Sequence, residues 1–335
     1  MPDPSISLVM PTIAWDPTFR RCLAAALQGL QAGDQCLVVF DGLAPAAPAW
    51  LSHSPVELLS TGLRRGPAAA RNLAAARARC PWLLFVDADV ELHPDAIERL
   101  RLRLQQQPSL TALFGSYDDR PAAPGVVSRF RNLLHHHTHH GHAGPATSFW
   151  AGCGAVRREA FAAVAGFDAE RYPLPSIEDI ELGLRLSDRG GAILLDPAIQ
   201  GTHHKRWTLR TMLLTDIRQR AVPWSRLLLQ RRELPATLNL SLAARISAAA
   251  SLLLLVASPL AVLLPALRTA GLGLAALCLA LLLALNHALY RLLFRRGGWR
   301  VGCAGIALHL IYLSTSSLTF LAMALDHWCR RRADR

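Results

Sequence analysis

The sequence predicts an α/β domain with a mostly parallel sheet, followed by a C-terminal α-helical membrane anchor. Up to about residue 240, strand-like apolar runs alternate with helix-like segments, which is the pattern of a parallel sheet covered by helices. Three later segments contain no Asp, Glu, Lys or Arg, namely 246–267, 269–290 and 301–325. Each is long enough to cross a hydrocarbon core of about 30 Å as a helix.

The strand and helix signals follow one another along the first part of the chain. Strands are predicted at SISLVMPT, QCLVVFDG, VELLS, WLLFVDAD, LTALFGSY and AILLDP. Helices are predicted at residues 17–31 and at GPAAARNLAAARARC, PDAIERLRLRLQQQ and PSIEDIELGLRLSDRG. Sheets of this kind bind ligands beyond the carboxyl ends of their strands.

Polar or turn residues follow three of these predicted strands. Pro11 and Thr12 end the first strand, Asp41 follows the second, and Asp87 and Asp89 follow the fourth. Three strand ends of this kind favour one shared pocket over three separate solvated loops.

Asp87 and Asp89 are two residues apart, so in extended backbone their side chains leave the same face. Two carboxylates so close together repel one another, and a hard divalent cation with oxygen ligands, Mg²⁺ or Mn²⁺, would relieve that repulsion. The alternative is a loop in which both carboxylates are solvated.

Three acidic residues stand in the first turn of the last predicted helix, Glu178, Asp179 and Glu181. A carboxylate that is buried near other negative charges has a raised pKa and can act as a general base. The alternative is structural: Ser176 caps the helix and Asp179, three residues later, completes a capping box.

The segment FWAGCGAV is rich in small residues, including Gly152 and Gly154, which would let backbone approach a ligand closely. The alternative is a tight crossing of strands.

Histidines occur in two places. Six lie between His135 and His142, where we expect a polar loop near a phosphate or lipid headgroup, with a dedicated metal site as the alternative. His203 and His204 follow a strand, so one of them could return to the pocket as a further ligand of the cation or pair with phosphate. A surface turn is the alternative there.

The net charge is +12, and much of the positive charge precedes the apolar segments. Apolar residues recur between these charges at near-helical intervals, which predicts amphipathic helices on a membrane surface rather than a nucleic-acid-binding region. The basic residues concerned are Lys205, Arg206, Arg210, Arg218, Arg220, Arg226, Arg231 and Arg232.

The expected location is the cytoplasmic (inner) membrane. The opening MPDPSISLVMPT has no signal-peptide pattern, and the seven cysteines show no pairing or metal spacing, so we expect the first domain in the cytoplasm. The basic loop RLLFRRGGWR then lies inside, as the positive-inside rule prefers, although three crossings leave the basic tail CRRRADR outside.

Six motifs, MPT, FDG, GPAAARN, FVDADVEL, FWAGCGAV and IEDIELGLRL, occur in the order found in membrane-anchored bacterial glycosyltransferases of family 2, and the chain resembles that family over about residues 5–230. The resemblance implies the GT-A fold and inverting transfer from a nucleotide-diphosphate sugar.

The resemblance also implies roles for particular residues. Asp179 would be the catalytic base, and Asp87 and Asp89 would bind the divalent cation, with His203 as a further ligand. The nucleotide sugar would be held by Pro11, Thr12, Asp41, Arg71 and Asp87. The acceptor side would be formed by Trp150, Gly152, Glu178 and Trp224.

Two departures from the family pattern qualify these expectations. FDGL keeps one Asp where the family often has DDGS, and QRAVPW keeps Gln219 and Trp224 but lacks the Arg of the Q-x-x-R-W motif of processive synthases. We therefore expect transfer of one sugar to a lipid or lipid-linked acceptor, with no nucleic acid as partner. The alternatives are a polysaccharide synthase subunit that extends an exported glycan and a catalytically silent nucleotide-sugar-binding membrane protein.

The expected organisation has three parts. Residues 1–207 form the transferase domain, residues 208–242 form amphipathic interfacial helices, and residues 243–328 form a transmembrane region of about three helices.

Overall fold

The computed structural model describes residues 4–231 and 241–333. The chain divides into two compact units: the first combines residues 1–123 with 138–205, and the second combines residues 124–137 with 206–335. Part of the predicted interfacial segment, residues 232–240 with Arg232, lies outside the described residues.

The described part of the first unit contains one sheet of nine strands in the order β3-β2-β1-β4-β8-β6-β9-β5, with β7 beside β9. The strands are β1 (Ile6–Thr12), β2 (Gln35–Phe40), β3 (Glu57–Ser60), β4 (Trp82–Val86), β5 (Val90–Leu92), β6 (Leu110–Tyr117), β7 (Gly144–Ala146), β8 (Cys153–Arg157) and β9 (Ala192–His203).

The predicted α/β class is confirmed, and the sheet is mixed. Strands β1 to β4 pair in parallel with one another, whereas β8 runs antiparallel between β4 and β6. Strands β6 and β9 are parallel, and β5 and β7 are antiparallel to β9. Periodicity indicates that a segment is a strand, but the direction of its neighbour depends on residues far away in sequence.

Helices of the first unit pack against this sheet, and strands β1, β2 and β4 are buried throughout. Asp16 begins the first helix by accepting a hydrogen bond from the Phe19 backbone N–H at 2.8 Å. The helices of this part of the chain are α1 (Pro17–Gln28), α2 (Ala49–Ser52), α3 (Gly66–Arg77), α4 (Ala96–Gln106), α5 (Val126–His140), α6 (Arg158–Ala163) and α7 (Glu178–Asp188), and most of α5 belongs to the second unit.

The histidine-rich run is helical, so the expected polar loop is wrong for residues 135–140, which form the end of α5. His139 is buried, and its Nδ1 donates to the carbonyl oxygen of Gly115 at 3.0 Å. No group of three His, Cys, Asp or Glu side chains within the described ranges is arranged to hold a metal ion, which also argues against the dedicated metal site.

The second unit contains the apolar helices. Among the residues that the structure describes, three helices are long and apolar enough to cross a membrane, which supports membrane association. The elements are α8 (Leu209–Leu214), a π-helical segment (Thr215–Ala221), α9 (Val222–Arg231), α10 (Leu242–Leu263), a 3₁₀ turn (Pro265–Leu267), α11 (Arg268–Leu285) and α12 (His287–Ala333).

Two details of this unit differ from expectation. Helix α11 ends at Leu285, so the last residues of the apolar segment 269–290 belong to the next helix. RLLFRRGGWR is helical rather than a loop, and α12 is interrupted only at Gly298, whose φ of 74° few other residues adopt.

Buried charges hold the amphipathic part of the second unit together. Arg131 Nη2 lies 2.9 Å from Asp216 Oδ1, and the Arg131 guanidinium lies 5.5 Å from the centre of the Trp207 ring. Burial raises the pKa of Asp216, although the charge of Arg131 opposes that rise.

Gly183 in α7 has no space for a side chain, because the backbone of residues 148 and 149 lies against it. A Cβ at Gly183 would lie 2.3 Å from the backbone nitrogen of Phe149, just before Trp150. Within helices Ala is favoured over Gly by about 1 kcal/mol. Gly183→Ala should nevertheless lower the free energy of unfolding by about 1–3 kcal/mol, because the added methyl group would force the backbone at Phe149 to move.

Thermal unfolding of the full chain in detergent tests this. The matched control is Gly273→Ala in α11, where a Cβ would meet nothing within 4 Å. A melting temperature for Gly183→Ala equal to that of Gly273→Ala would contradict the close packing.

Candidate active site

The carboxyl ends of the parallel strands lie along one edge of the sheet. Thr12 at the end of β1 is in register with Phe40, and Phe40 with Ser60. Strand β4 pairs with β1 in the same direction and ends at Val86. Thr12, Asp41 and Asp87 therefore lie at the same edge.

Asp41 is a buried carboxylate that organises the start of α3. It accepts hydrogen bonds from the Arg65 backbone N–H at 2.8 Å, the Gly66 N–H at 2.9 Å and the Thr61 hydroxyl at 3.0 Å. These three bonds leave room for one further donor among its four lone-pair sites.

Pro11 and Thr12 lie in the fully buried strand β1. The Thr12 hydroxyl donates to the Ala14 carbonyl at 2.8 Å, and the Thr12 carbonyl accepts from the Asp41 N–H at 2.8 Å. These contacts fix the turn that follows β1 and tie it to the end of β2.

Arg71 of α3 connects two motifs that are far apart in sequence. Its Nη2 lies 2.6 Å from Asp87 Oδ1, and its Nη1 lies 3.0 Å from Glu178 Oε1. The side chain is buried, and its guanidinium lies 5.5 Å from the centre of the Phe167 ring. Both terminal nitrogens of Arg71 therefore contact carboxylates, and the contact with a nucleotide that the sequence predicted stays a prediction.

Asp87 and Asp89 do not stand on an extended strand. Strand β4 ends at Val86, and the Val90 N–H donates to the Asp87 carbonyl at 3.1 Å, which closes a turn. The two carboxylates thus stand on a turn rather than on extended backbone, and they have different partners: Asp87 pairs with Arg71, and Asp89 faces His203.

Antiparallel pairing of β5 with β9 brings His203 to Asp89. Val90 is in register with His203, and His203 Nε2 lies 3.6 Å from Asp89 Oδ2. Burial acts to raise the pKa of Asp89, but the imidazole of His203 and the charge of Lys205 together hold that pKa below its usual range. His203 is thus not on a free surface turn.

Tyr117, at the end of β6, stacks on His203 with ring centres 4.2 Å apart and ring planes 7° apart. The stacking fixes the plane of the imidazole beside Asp89. Sequence reasoning did not single out Tyr117, because only the pairing of β6 with β9 brings it there.

These donors fit a divalent cation that arrives with its substrate. Asp89 offers carboxylate oxygen and His203 offers nitrogen, while Asp87 is engaged with Arg71. Mg²⁺-type sites commonly use one or two protein carboxylates and take their other ligands from phosphate and water. The residues therefore suit a shared protein–substrate site rather than a cage made by the protein alone.

Asp179 lies in the first turn of α7. Its carboxylate accepts from the Ala151 N–H at 3.2 Å and from the Ile180 N–H at 2.8 Å. Burial, followed by the charge of Glu178, raises the pKa of Asp179 to about 7. Such a carboxyl can accept a proton near neutral pH.

The structural alternative for this motif is wrong. Helix α7 begins at Glu178 after Ile177, and no side chain caps it. The Ser176 N–H instead donates to Glu178 Oε2 at 2.8 Å. Because Glu178 also pairs with Arg71 and is buried, this arrangement does not favour its contact with an acceptor.

The other residues assigned to the acceptor side fall in two places. Trp150 lies edge-on to Tyr117 at 4.8 Å, and a Cβ at Gly152 would lie 2.3 Å from the Trp150 ring. Packing against Trp150 is therefore sufficient reason for this glycine. Trp224 lies in α9, in the second unit.

The site thus combines acidic side chains at the strand ends with a buried carboxyl of raised pKa, Asp179, at the start of α7. Residues 7–164 match the family model for glycosyl transferase family 2. This segment is just under half of the chain, and the match confirms for it the resemblance seen in the motifs.

Two curated proteins match short parts of the chain. A succinoglycan biosynthesis protein, ExoO, of Rhizobium meliloti is 30% identical over 100 residues, which are 29% of this chain and 29% of that protein. A TPR repeat-containing protein of Synechococcus elongatus is 36% identical over 90 residues, which are 27% of this chain and 22% of that protein. The chain thus spans less than a third of either relative.

Among solved structures, the mannosyltransferase PcManGT from Pyrobaculum calidifontis, in complex with GDP-Man and Mn²⁺, has the same fold. Its TM-score is 0.59 at 16% identity, and the match covers 95% of this chain and 87% of that one.

The raised pKa of Asp179 predicts a pH-dependent effect on stability. Between about pH 4 and pH 7 the folded chain retains a proton that the unfolded chain has released, so this group's contribution to stability falls as the pH rises through that window. Asp179→Asn removes the ionisation, so it should raise the melting temperature of the full chain at pH 8 and change it little at pH 4.

Asp188→Asn, at the other end of α7, is the control for loss of one carboxylate. A melting temperature for Asp179→Asn that falls equally at both pH values would show that Asp179 is needed to hold the fold.

Proposed function

We propose that the chain transfers one sugar, with inversion, from a nucleotide-diphosphate sugar to a lipid or lipid-linked acceptor at the cytoplasmic face of the inner membrane. The proposal rests on the buried carboxyl of Asp179, whose pKa is raised to about 7. Arg71 acts on this carboxyl and also pairs with Asp87 at the end of β4. A general base is most effective when its pKa is close to the working pH.

In this proposal the ionised Asp179 takes the proton of the acceptor hydroxyl. The hydroxyl oxygen forms a bond to the anomeric carbon from the face opposite the diphosphate, and the bond from that carbon to the diphosphate oxygen breaks. A single displacement of this kind inverts the configuration. The Ala151 N–H, 3.2 Å from Asp179 Oδ2, orients the base.

The donor is assigned to the edge formed by the parallel strands. Pro11, Thr12 and Asp41 would hold the nucleotide, and the buried turns after β1 and β2 keep them in place. Asp89 and His203 would hold a divalent cation, and Asp87 could add its Oδ2 while its Oδ1 stays paired with Arg71. When bound, the cation supplies positive charge to the departing diphosphate.

The membrane part of the proposal rests on composition and on the three long apolar helices. The basic amphipathic segment that includes Trp224 would hold the chain at anionic headgroups, where a lipid acceptor is concentrated. Departure from the Q-x-x-R-W motif supports addition of one sugar. The match to a succinoglycan biosynthesis protein keeps extension of an exported glycan as the second candidate.

Membranes that contain the chain should transfer label from one member of a panel of radiolabelled nucleotide sugars into lipid-extractable product. GDP-mannose is tested first, because the mannosyltransferase of the same fold was solved with it. Asp179→Asn should reduce the rate at least about 100-fold, the usual contribution of a general base, while the donor still binds.

The wild-type rate should rise with pH and level off above about pH 7, where Asp179 is ionised. Asp188→Asn serves as the control with normal activity. Transfer by Asp179→Asn at the wild-type rate would exclude Asp179 as the base, and product chains of many sugars would favour the glycan-extending candidate.

Removal of metal should abolish transfer. Activity lost in a chelator should return with Mn²⁺ or Mg²⁺, because the diphosphate leaves with negative charge that the protein edge does not neutralise by itself. His203→Ala and Asp89→Ala should each require more cation for half-maximal activity, measured by titration of Mn²⁺.

His204→Ala is the matched control, because His204, the residue directly after β9, pairs with Glu91 at 2.6 Å instead. Full activity of Asp89→Ala at low Mn²⁺ would contradict a role for Asp89 in holding the cation.

A further inference from the structure

We propose that Tyr117 is a positioning residue, which holds the imidazole of His203 in the orientation that binding of a cation beside Asp89 requires. This inference rests on the proposed function for its cation site, since it takes Asp89 and His203 as ligands of the divalent cation. It adds to that site a side chain that acts on the cation only through His203.

The gap between His203 and Asp89 suits two ligands of one cation. Nε2 of His203 lies 3.6 Å from Oδ2 of Asp89, which is too long for a hydrogen bond. Two neighbouring ligands of an octahedral cation, each about 2.1 Å from it, stand about 3 Å apart. A small movement of either side chain would therefore bring both onto the same ion.

A histidine that binds a metal ion needs its ring direction fixed. Such histidines usually donate the N–H of the other ring nitrogen to a carboxylate or carbonyl oxygen. Within the described residues, no protein group accepts such a hydrogen bond from His203. The ring of Tyr117 instead lies parallel to the imidazole within 7°, with ring centres 4.2 Å apart. Stacking thus takes the place of the usual hydrogen bond.

The pairing of β6 with β9 explains why Tyr117 reaches this imidazole. Tyr117 is in register with Gly201, two residues before His203. Side chains two residues apart on a strand leave the same face of the sheet, and an aromatic ring is long enough to reach a diagonal neighbour on the next strand. Because Tyr117 is 7% exposed, its ring has little freedom to turn away.

Tyr117 is itself held by a second ring. Trp150 lies edge-on to it, with ring centres 4.8 Å apart and ring planes at 90°. His139 lies edge-on to Trp150 at 5.3 Å, and its Nδ1 donates to the carbonyl oxygen of Gly115, on the same strand as Tyr117. One member of the histidine-rich run therefore supports the cation site from behind, through two aromatic side chains.

The experiment measures Mn²⁺ binding to the full chain in detergent by electron paramagnetic resonance, without turnover. Mn²⁺ is added alone and then with inorganic pyrophosphate, which supplies diphosphate oxygens whatever the sugar or base of the donor. Electron spin-echo modulation by nitrogen nuclei reports an imidazole bound to the ion. The part of this nitrogen signal that His203→Ala removes belongs to the proposed site.

Tyr117→Leu should remove most of the His203-dependent nitrogen signal. It should also raise the dissociation constant of Mn²⁺ at least about tenfold, the usual effect of losing a group that orients a metal ligand. Tyr117→Phe keeps the stacked ring, so it should bind Mn²⁺ as the wild-type chain does.

The matched control is Tyr290→Leu. Tyr290 is a similarly buried tyrosine that also lies against a histidine, His309, but in the second unit. This variant should leave the nitrogen signal and the Mn²⁺ affinity unchanged.

A tyrosine with a purely structural role would give a different result. Tyr117→Leu would then lower the melting temperature, while the folded chain kept its nitrogen signal and its affinity for Mn²⁺. That result would overturn the inference, and so would a wild-type nitrogen signal that does not depend on His203. If Tyr117→Leu does not fold, Trp150→Leu replaces it, because it removes the ring that holds Tyr117, and an unchanged signal there would also overturn the inference.

The inference and the proposed function can fail separately. If the wild-type chain transfers no sugar but Tyr117→Leu loses the nitrogen signal, the proposed function fails and the positioning role stands. If transfer depends on Mn²⁺ but no signal depends on His203, the proposed function stands and the positioning role fails.

Discussion

The buried guanidinium of Arg71 is the interaction on which the arrangement of the candidate site depends. It compensates two carboxylates, Asp87 and Glu178, that are 16 and 107 residues away along the chain. Without it, two negative charges would stand at the end of a buried strand and the start of a buried helix, which is expensive in a medium of low dielectric constant. The bridge lets the strand end and the helix start remain acidic.

Asp179 gains its chemistry from the same environment at the expense of stability. It adjoins Glu178, and burial together with that charge raises its pKa to about 7. Arg71 opposes the rise, so the carboxyl of Asp179 is partly ionised near neutral pH. A side chain chosen for stability alone would be neutral here, and charged groups retained in such places commonly mark functional sites.

Other conspicuous residues serve packing. Gly152 leaves room for the Trp150 ring, and Gly183 lets α7 approach the backbone of Phe149. His139, from the histidine-rich run, is buried against Trp150 with ring centres 5.3 Å apart. A residue pattern that suggests ligand binding can thus arise because one aromatic side chain needs space and support.

The sequence by itself determined the α/β class, the strand ends at which Thr12, Asp41 and Asp87 lie, the acidic first turn of α7 and the three long apolar segments, because periodicity, turn residues and apolar length are local properties. Only the tertiary structure decided that β8 runs antiparallel beside β4, that Asp87 and Asp89 face different partners, and that Arg71 reaches Glu178. Those outcomes depend on contacts between residues distant in sequence, and local patterns carry no information about which distant carboxylate a buried arginine will meet.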